Sequence, residues 1–391
     1  MFNEYSEDGP NLLTGDDGKI RGHFVLKATT TVANTLRRSI LMETRSVGFF
    51  ADLTSVDPGI KIAKNTGPIF NEMLAHRLTL IPIGVRRLDE FDPSKYEFAL
   101  KVSNTSTDVV HVTADQFQVR EKGDDQLFHP LGPEVTAAMF PQDPITKQSC
   151  LITTLRPRWN QSLPPDEIDL VATAVKGRGR DFMGFSPVAQ CSYQNTPDPD
   201  PSRQREFFNE WLASFKKIKD TSTVDPGTLA NYEAEWKTMA IQRCFIPNSF
   251  SFTIESVGIR PVKEIVAEGI KAVIDLVSPY TDATLEGVTF LPLESRMGGL
   301  RVVFQDQEHT LGCLLEAMIH DIYLKIEGEG PISYAAYKVP HPLEKKMHII
   351  LGKHTASPDG VTEAVAREVI VAAAQKARGI FQEMATAWAS V

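Results

Sequence analysis

Apolar positions along the chain change period several times, and each change marks an element. Gly22-His23-Phe24-Val25-Leu26-Lys27 reads as a strand, and the Thr29-Thr30-Thr31 cluster after it can cap a helix. That helix covers residues 32–43, with Val32, Leu36 and Ile40 on one face. From about residue 51 the texture turns to β. Tyr96, Phe98, Leu100 and Val102 alternate with Glu97, Ala99 and Lys101, and further strands are expected at 109–113, 149–155 and 168–175. One helix, around residues 69–78, interrupts this region, and Pro82 closes the segment after it.

Residues 195–243 differ again. They open on Thr196-Pro197-Asp198-Pro199-Asp200-Pro201, a stiff turn-rich element, and continue with an expected helix over 204–219 and a segment bearing Trp236. Alternation returns at Phe250, Phe252 and Ile254. Pro261 then opens a helix whose apolar residues, Val262 through Val277, keep helical spacing until Ser278-Pro279 ends it. The last stretch predicts a strand at 300–305, a helix from His309 or Thr310 carrying Leu311, Leu315 and Met318, and strands at 332–338 and 346–352. Ser357-Pro358 reads as the start of a long final helix with one apolar line from Val361 through Phe381 to Trp388. So long a helix must pack beyond its own domain or leave that line in water.

Composition narrows the function classes. The 391 residues carry 41 Lys+Arg against 50 Asp+Glu, a net charge of −9, which is unsuited to autonomous non-specific binding of nucleic acid. Cys150, Cys191, Cys244 and Cys313 lie far apart without any Cys-x-x-Cys pair, so a cysteine-rich metal site and a dense disulfide framework are not expected. No apolar run approaches the roughly 20 residues of a membrane span. Residues 1–18, polar and acidic, read as a loose leader without a secretory core. An intracellular chain without cofactor or metal is the expectation.

A hidden repeat adds to this. Shifting the chain by 279 residues lays Val32, Leu36 and Ile40 on Leu311, Leu315 and Ile319, and Phe24 and Val25 on Val303 and Phe304. Chance spacing accounts for such a match as readily as two related halves, each covering the other's apolar helices.

Longer strings carry a resemblance. Ala33-Asn34-Thr35-Leu36-Arg37-Arg38-Ser39-Ile40-Leu41-Met42-Glu43, then Asn65-Thr66 with Leu74-Ala75-His76-Arg77-Leu78, resemble the α-like subunit of cellular RNA polymerase. That family comprises the third subunit of RNA polymerase II, its archaeal D-type counterpart and the bacterial alpha amino-terminal domain. Lys176-Gly177-Arg178-Gly179, Phe185-Ser186-Pro187-Val188 and Phe252-Thr253-Ile254-Glu255-Ser256-Val257-Gly258 extend the likeness. Glu308-His309-Thr310-Leu311-Gly312 and the run from Tyr337 and Lys338 through His341 to Lys346 resemble the eleventh subunit of RNA polymerase II, or its archaeal L-type counterpart. The pair in one chain looks like a fusion of two assembly subunits, as in large nucleocytoplasmic DNA viruses; a viral chain would act in the virion and in the host cytoplasm or nucleus.

The resemblance implies an α+β fold of two alpha-type dimerisation modules docked as a pseudo-two-fold pair. Residues 19–50 and 184–277 (with the insertion 195–243) would form the first, 51–183 a β-rich insert, 278–289 a linker and 290–391 the second module. It places Leu36, Ile40, Leu311, Leu315, Met318, Phe381 and Trp388 at the joint between the halves. It gives Asn34, Arg37, Arg38, His76, Arg77, Lys176, Arg178, Tyr337, Lys338 and His341 to contacts with large catalytic subunits. The implied partners are the two largest polymerase subunits and small zinc-binding ones, with DNA met only through the complex, no membrane and no homodimer. Relatives hold metal with a cysteine cluster in the insert, whereas residues 86–96 here include no cysteine.

Residue chemistry alone is compatible with blander readings. Arg37 and Arg38 would otherwise be solvated charges, and His76 a satisfied structural histidine. His309-Thr310 suits a helix cap, and Pro340-His341-Pro342 a rigid extended connector. Lys176–Arg180 lacks the Gly-Lys-Ser/Thr ending of a phosphate loop and reads as a basic, flexible loop. No nucleophile–base set, paired carboxylates or triple-aspartate magnesium loop is present. The expected function is therefore a non-catalytic assembly platform; the alternative is a stand-alone α+β enzyme or nucleic-acid-binding protein on the same scaffold.

Overall fold

The computed structural model describes residues 1–10, 19–52, 55, 57–85, 87–293, 298–324, 330–353 and 360–391. Its α-helices are α1 (Thr30–Met42), α2 (Asn71–Thr79), α3 (Pro133–Met139), α4 (Pro201–Trp211), α5 (Pro226–Met239), α6 (Val262–Val277), α7 (His309–Tyr323) and α8 (Glu363–Ala389). Two hydrophobic cores organise them. One joins α1, α6, α7 and α8 with two four-stranded sheets, and the other fills the β-rich part between residues 47 and 174.

The first sheet is antiparallel throughout, in the order Phe2–Asp8, Arg21–Lys27, Phe245–Ser256, Val188–Pro197. Alternation sends Phe24 and Leu26 inward opposite Phe252 and Phe250, and the Phe24 and Phe252 rings stack at 5.0 Å. Thr29 caps α1 by accepting from the Val32 N–H at 3.4 Å. The expected loose leader needs correction: Phe2–Asp8 is a paired edge strand, with Phe2 buried. Residues 11–18 of that leader lie outside the described residues.

The β-rich part contains a five-stranded sheet, Ile60–Asn65, Asp166–Ala172, Tyr96–Asn104, Gln118–Lys122 and Phe128–Pro130 in spatial order. Phe49, Phe98, Phe117 and Phe140 meet in its core with ring separations of 5.1–6.4 Å. The strand expected at 168–175 is two strands. Asp166–Ala172 stays in this sheet, while Ala174–Arg178 leaves it to pair with Arg45–Phe49. Lys176-Gly177-Arg178 is therefore paired strand rather than flexible loop. Gly179 follows where an added Cβ would collide with the Leu41 carbonyl, which ties this strand end to α1.

Residues 201–243 form a helical arm. The helix expected over 204–219 begins at Pro201, capped by Asp200, and changes at Leu212–Lys216 into a single π-type turn. Lys217, in the left-handed region at φ 61°, ends it by donating its N–H to the Leu212 carbonyl. α5 returns alongside and buries Trp236.

The second sheet runs Val288–Pro292, Gly298–Gln305, Lys346–Lys353, Tyr334–Lys338, again antiparallel. α7 repeats α1 at the 279-residue shift, since Thr30 and His309 both open their helices. The strands before them do not. Inward-facing Phe24 and Leu26 correspond to Val302 and Phe304, one residue earlier than that shift places them. The link Asp306-Gln307-Glu308 is one residue longer than Ala28-Thr29, and Asp306 absorbs the difference at φ 54°. Three further expectations are refined here. Glu308, without a side-chain bond, is the cap position of α7. The stiff Pro340-His341-Pro342 element runs directly into a turn at Pro342-Leu343, where the Glu344 N–H donates to the His341 carbonyl at 3.1 Å. The expected start at Ser357-Pro358 lies outside the described residues, and α8 begins at Glu363 with Thr362 as its cap.

Candidate subunit interface

The joint between the halves is built from small and aliphatic residues on four helices. Leu36, Ile40, Leu311, Leu315, Met318, Phe381 and Trp388 are all buried in the same core. Within the first half, Ser39 of α1 donates its hydroxyl to the Gly269 carbonyl of α6 at 2.7 Å. Gly269 permits that approach, as a Cβ there would stand 2.6 Å from Ile40 Cγ1. Arg38 Nε donates to Thr310 Oγ1 at 2.9 Å, joining α1 to the first turn of α7. From α8, Gln375 and Arg378 donate to Thr281 at 3.0 and 3.1 Å, and Trp388 Nε1 donates to the Lys263 carbonyl at 2.9 Å. The Trp388 ring stands edge-on to Phe2, Tyr5 and Phe24 within 5.2 Å. Aliphatic burial of this extent, at roughly 25 cal/mol per Å² of apolar surface, is what holds such helices together.

The residues expected to face outward divide into three groups. On α1, Arg37 Nε donates to Asn34 Oδ1 at 3.0 Å, so that pair is half-buried and mutually oriented. Near Arg37 lies Cys191, whose thiol burial pushes up to about 12 against the pull of the guanidinium, leaving it an inert core thiol. Arg38 is engaged at the joint and is not a free surface cation.

The second group surrounds α2 and the strand Ala174–Arg178. His76 and Lys176 are exposed. Arg77 donates to the Leu151 carbonyl at 2.9 Å, while its buried Nε has no hydrogen-bond partner among the described residues. Arg178 and Arg180 both reach Glu43 at the end of α1, the former at 3.7 Å. Sequence reasoning missed the apolar members here. Phe50, 45% exposed, meets Phe182 edge-on at 6.3 Å, and together with His76 and Thr79 they line a recess of about 140 Å³. Exposed Leu80 and Met183 flank the same chain segments. No periodic signal marks these positions, because each sits just beyond an element's end.

The third group is on the second sheet. Tyr337 is half-buried, its N–H donating to Glu316 Oε1 at 3.3 Å and its ring edge-on to His309 at 5.9 Å. Burial first, then the neighbouring Cys313 thiol, push its phenol above the usual range. Lys338 and His341 are exposed, and His341 Nδ1 accepts from the Leu343 N–H at 3.2 Å. Among the described residues no three His, Cys, Asp or Glu side chains gather as a metal site, and no helix is long and apolar enough to cross a membrane.

Two four-stranded sheets, each with an amphipathic helix pair, pack helix to helix through one shared apolar core, the arrangement of a dimerisation scaffold. The chain belongs to the RNA polymerase Rpb3/Rpb11 dimerisation domain family, which matches it twice, at residues 24–277 and 299–387. It is similar to the DNA-directed RNA polymerases I and III subunit RPAC1 of Bos taurus, at 25% identity over 64% of this chain and 77% of that protein. It is also similar to the DNA-directed RNA polymerase II subunit RPB3 of Schizosaccharomyces pombe, at 26% over 63% and 78%. The DNA-directed RNA polymerase subunit Rpo3 of Pyrococcus furiosus matches at 27% over 63% and 87%. The chain is thus an RNA polymerase alpha-like subunit, with both matched segments sharing one hydrophobic core.

Proposed function

We propose that the chain is a non-catalytic assembly platform of a multisubunit DNA-directed RNA polymerase, a fusion of two assembly subunits docked within one polypeptide. Residues 19–50 with 184–277, apart from the insertion 195–243, act as one dimerisation module and 290–391 as the other, with 278–289 as the link and 51–183 as a β-rich insert. The docked pair recruits the two large catalytic subunits through Asn34, Arg37, His76, Arg77, Lys176, Arg178, Tyr337, Lys338 and His341, with Phe50 and Phe182 as apolar anchors beside His76. Arginine and aromatic groups of this kind carry most of the energy at protein interfaces. Small zinc-binding subunits complete the set, and DNA is met only through the complex.

The observation that supports this most is the single core drawn from both family-matched segments. Linking the modules makes their docking intramolecular, so it no longer depends on protein concentration. The test is purification through this chain from cells that produce it. Two polypeptides above about 100 kDa, carrying nucleotidyltransferase activity, are expected to accompany it; that size is a scale for chains of several domains. A chain that purifies alone at low salt overturns the reading.

A further inference from the structure

The helical arm at residues 201–243 takes no part in the joint between the halves, and the tip of its first helical run, at Phe215, presents an aromatic ring to solvent. Phe208, Trp211 and Phe215 stack successively along α4 and its π-type turn, at 6.1 and 6.3 Å with interplanar angles of 18° and 28°. Trp236 of α5 braces this ladder edge-on to Phe208 at 5.6 Å. Lys216 locks the two helices together: its ammonium lies 5.2 Å from the Trp211 ring, 4.9 Å from the Tyr232 ring and 2.8 Å from Glu235. Arg243 lies over Phe215 at 5.7 Å. The tip is thus held rigid from several sides, yet Phe215 remains 61% exposed.

Exposed cations stand beside it. In a chain of net charge −9, the tip presents Lys217, Lys219 and Arg243 to solvent. Neither Lys217 nor Lys219 forms an ion pair among the described residues, whereas Lys216 is occupied by Glu235. The left-handed Lys217 turns the chain sharply after the π-type turn, so the run Lys217-Ile218-Lys219 leaves the helix direction beside Phe215.

We propose that this tip is a docking knob for a partner protein that offers an apolar socket rimmed by carboxylates. Phe215 fills the socket, and Lys217, Lys219 and Arg243 meet the rim. An aromatic anchor already immobilised before contact loses little entropy on binding, which is the property of interface anchors that matter energetically. Complementary charge at the rim then selects the partner and its orientation. Single-stranded nucleic acid fits less well. A base would need an open aromatic face, but the Phe215 ring is engaged by Trp211 and Arg243.

The test places photoreactive benzoylphenylalanine at position 215 of the full chain, irradiates the complex purified at low salt, and maps adducts by mass spectrometry. An adduct on an Asp/Glu-bearing segment of one other polypeptide is expected. Lys217→Glu with Lys219→Glu should lower its yield about tenfold or more, and Lys217→Arg with Lys219→Arg should preserve it. Adducts to nucleic acid, adducts confined to this chain, the absence of any adduct, or a yield indifferent to charge reversal would each overturn the proposal. The probe sits on an exposed side chain, so correct folding is retained and checked by unchanged thermal unfolding. A complex without large polymerase subunits would defeat the assembly reading separately, while the adduct at position 215 would still decide the role of the arm.

Discussion

Trp388 donates its indole N–H to the backbone carbonyl of Lys263 at 2.9 Å, across 125 positions of the chain. The bond pins the end of α8 to the first turn of α6, and the ring fills the space between Phe2, Tyr5 and Phe24. Trp388→Phe, which keeps a ring but loses the donor, should lower stability by about 0.5–1.5 kcal/mol. Trp388→Ala should lower it by about 3–5 kcal/mol, because a large cavity opens between the halves. Chemical denaturation of the two variants separates the bond from the packing; equal losses would show that the ring contributes nothing beyond its N–H.

Leu315 lies at the centre of the joint, fully buried. Leu315→Ala should destabilise by about 2–5 kcal/mol, a large share of the roughly 5–15 kcal/mol available to a whole domain. Leu315→Asp introduces an unpaired buried charge and should separate the halves. Limited proteolysis within 278–289 and loss of co-purifying large chains are the readouts. The parent chain should sediment as a monomer, since its two modules satisfy each other.

Arg37 and Arg38 are neighbours with different duties. Arg38→Ala removes the bond to Thr310 and should cost about 0.5–1.5 kcal/mol of stability. Arg37→Ala, whose partner Asn34 lies on the same helix, should stay within about 0.5 kcal/mol of the parent while weakening large-subunit binding. Thermal unfolding and co-purification measured on both variants distinguish them.

Asp166 gives the β-rich part an acid limit. Arg156 donates to its carboxylate from the backbone N–H and Nε at 2.9 Å and from Nη2 at 3.0 Å, holding the carboxyl below the usual carboxylate range. A carboxyl lowered by folding stabilises the protein above its unfolded value, and that contribution is lost as pH falls through the folded value. Arg156 is well exposed, so the effect should be at most about 1 kcal/mol. Asp166→Asn should therefore lower the unfolding midpoint at pH 7, and the difference from the parent should shrink as pH falls through that lowered folded value. Parallel curves across that range would assign the bond no electrostatic role.

The helices of the joint were legible because each keeps an apolar face over three turns or more, and α1 also carries its threonine cap. Other features depend on distant partners. Phe2–Asp8 has only Phe2 and Tyr5 as apolar residues, and what makes it a strand is the ring of Trp388 and the edge of Arg21–Lys27. The change of sheet at Thr173 is hidden inside a run of residues that suit a strand on either side. Arg38 read as a surface cation because its acceptor, Thr310, is 272 positions away. Phe50, exposed, and Phe182, half-buried, escaped notice because aromatics next to element ends obey no period.

The additional residue in the link before α7 bears on how a complex can be put together. Two identical modules would present the same surface twice, and a partner could approach either side of the axis with equal success. Here Asp306 shifts the strand against the helix in only one module, so the faces on either side of the joint are different surfaces. The scaffold has a left and a right, and whatever docks on it is given one orientation.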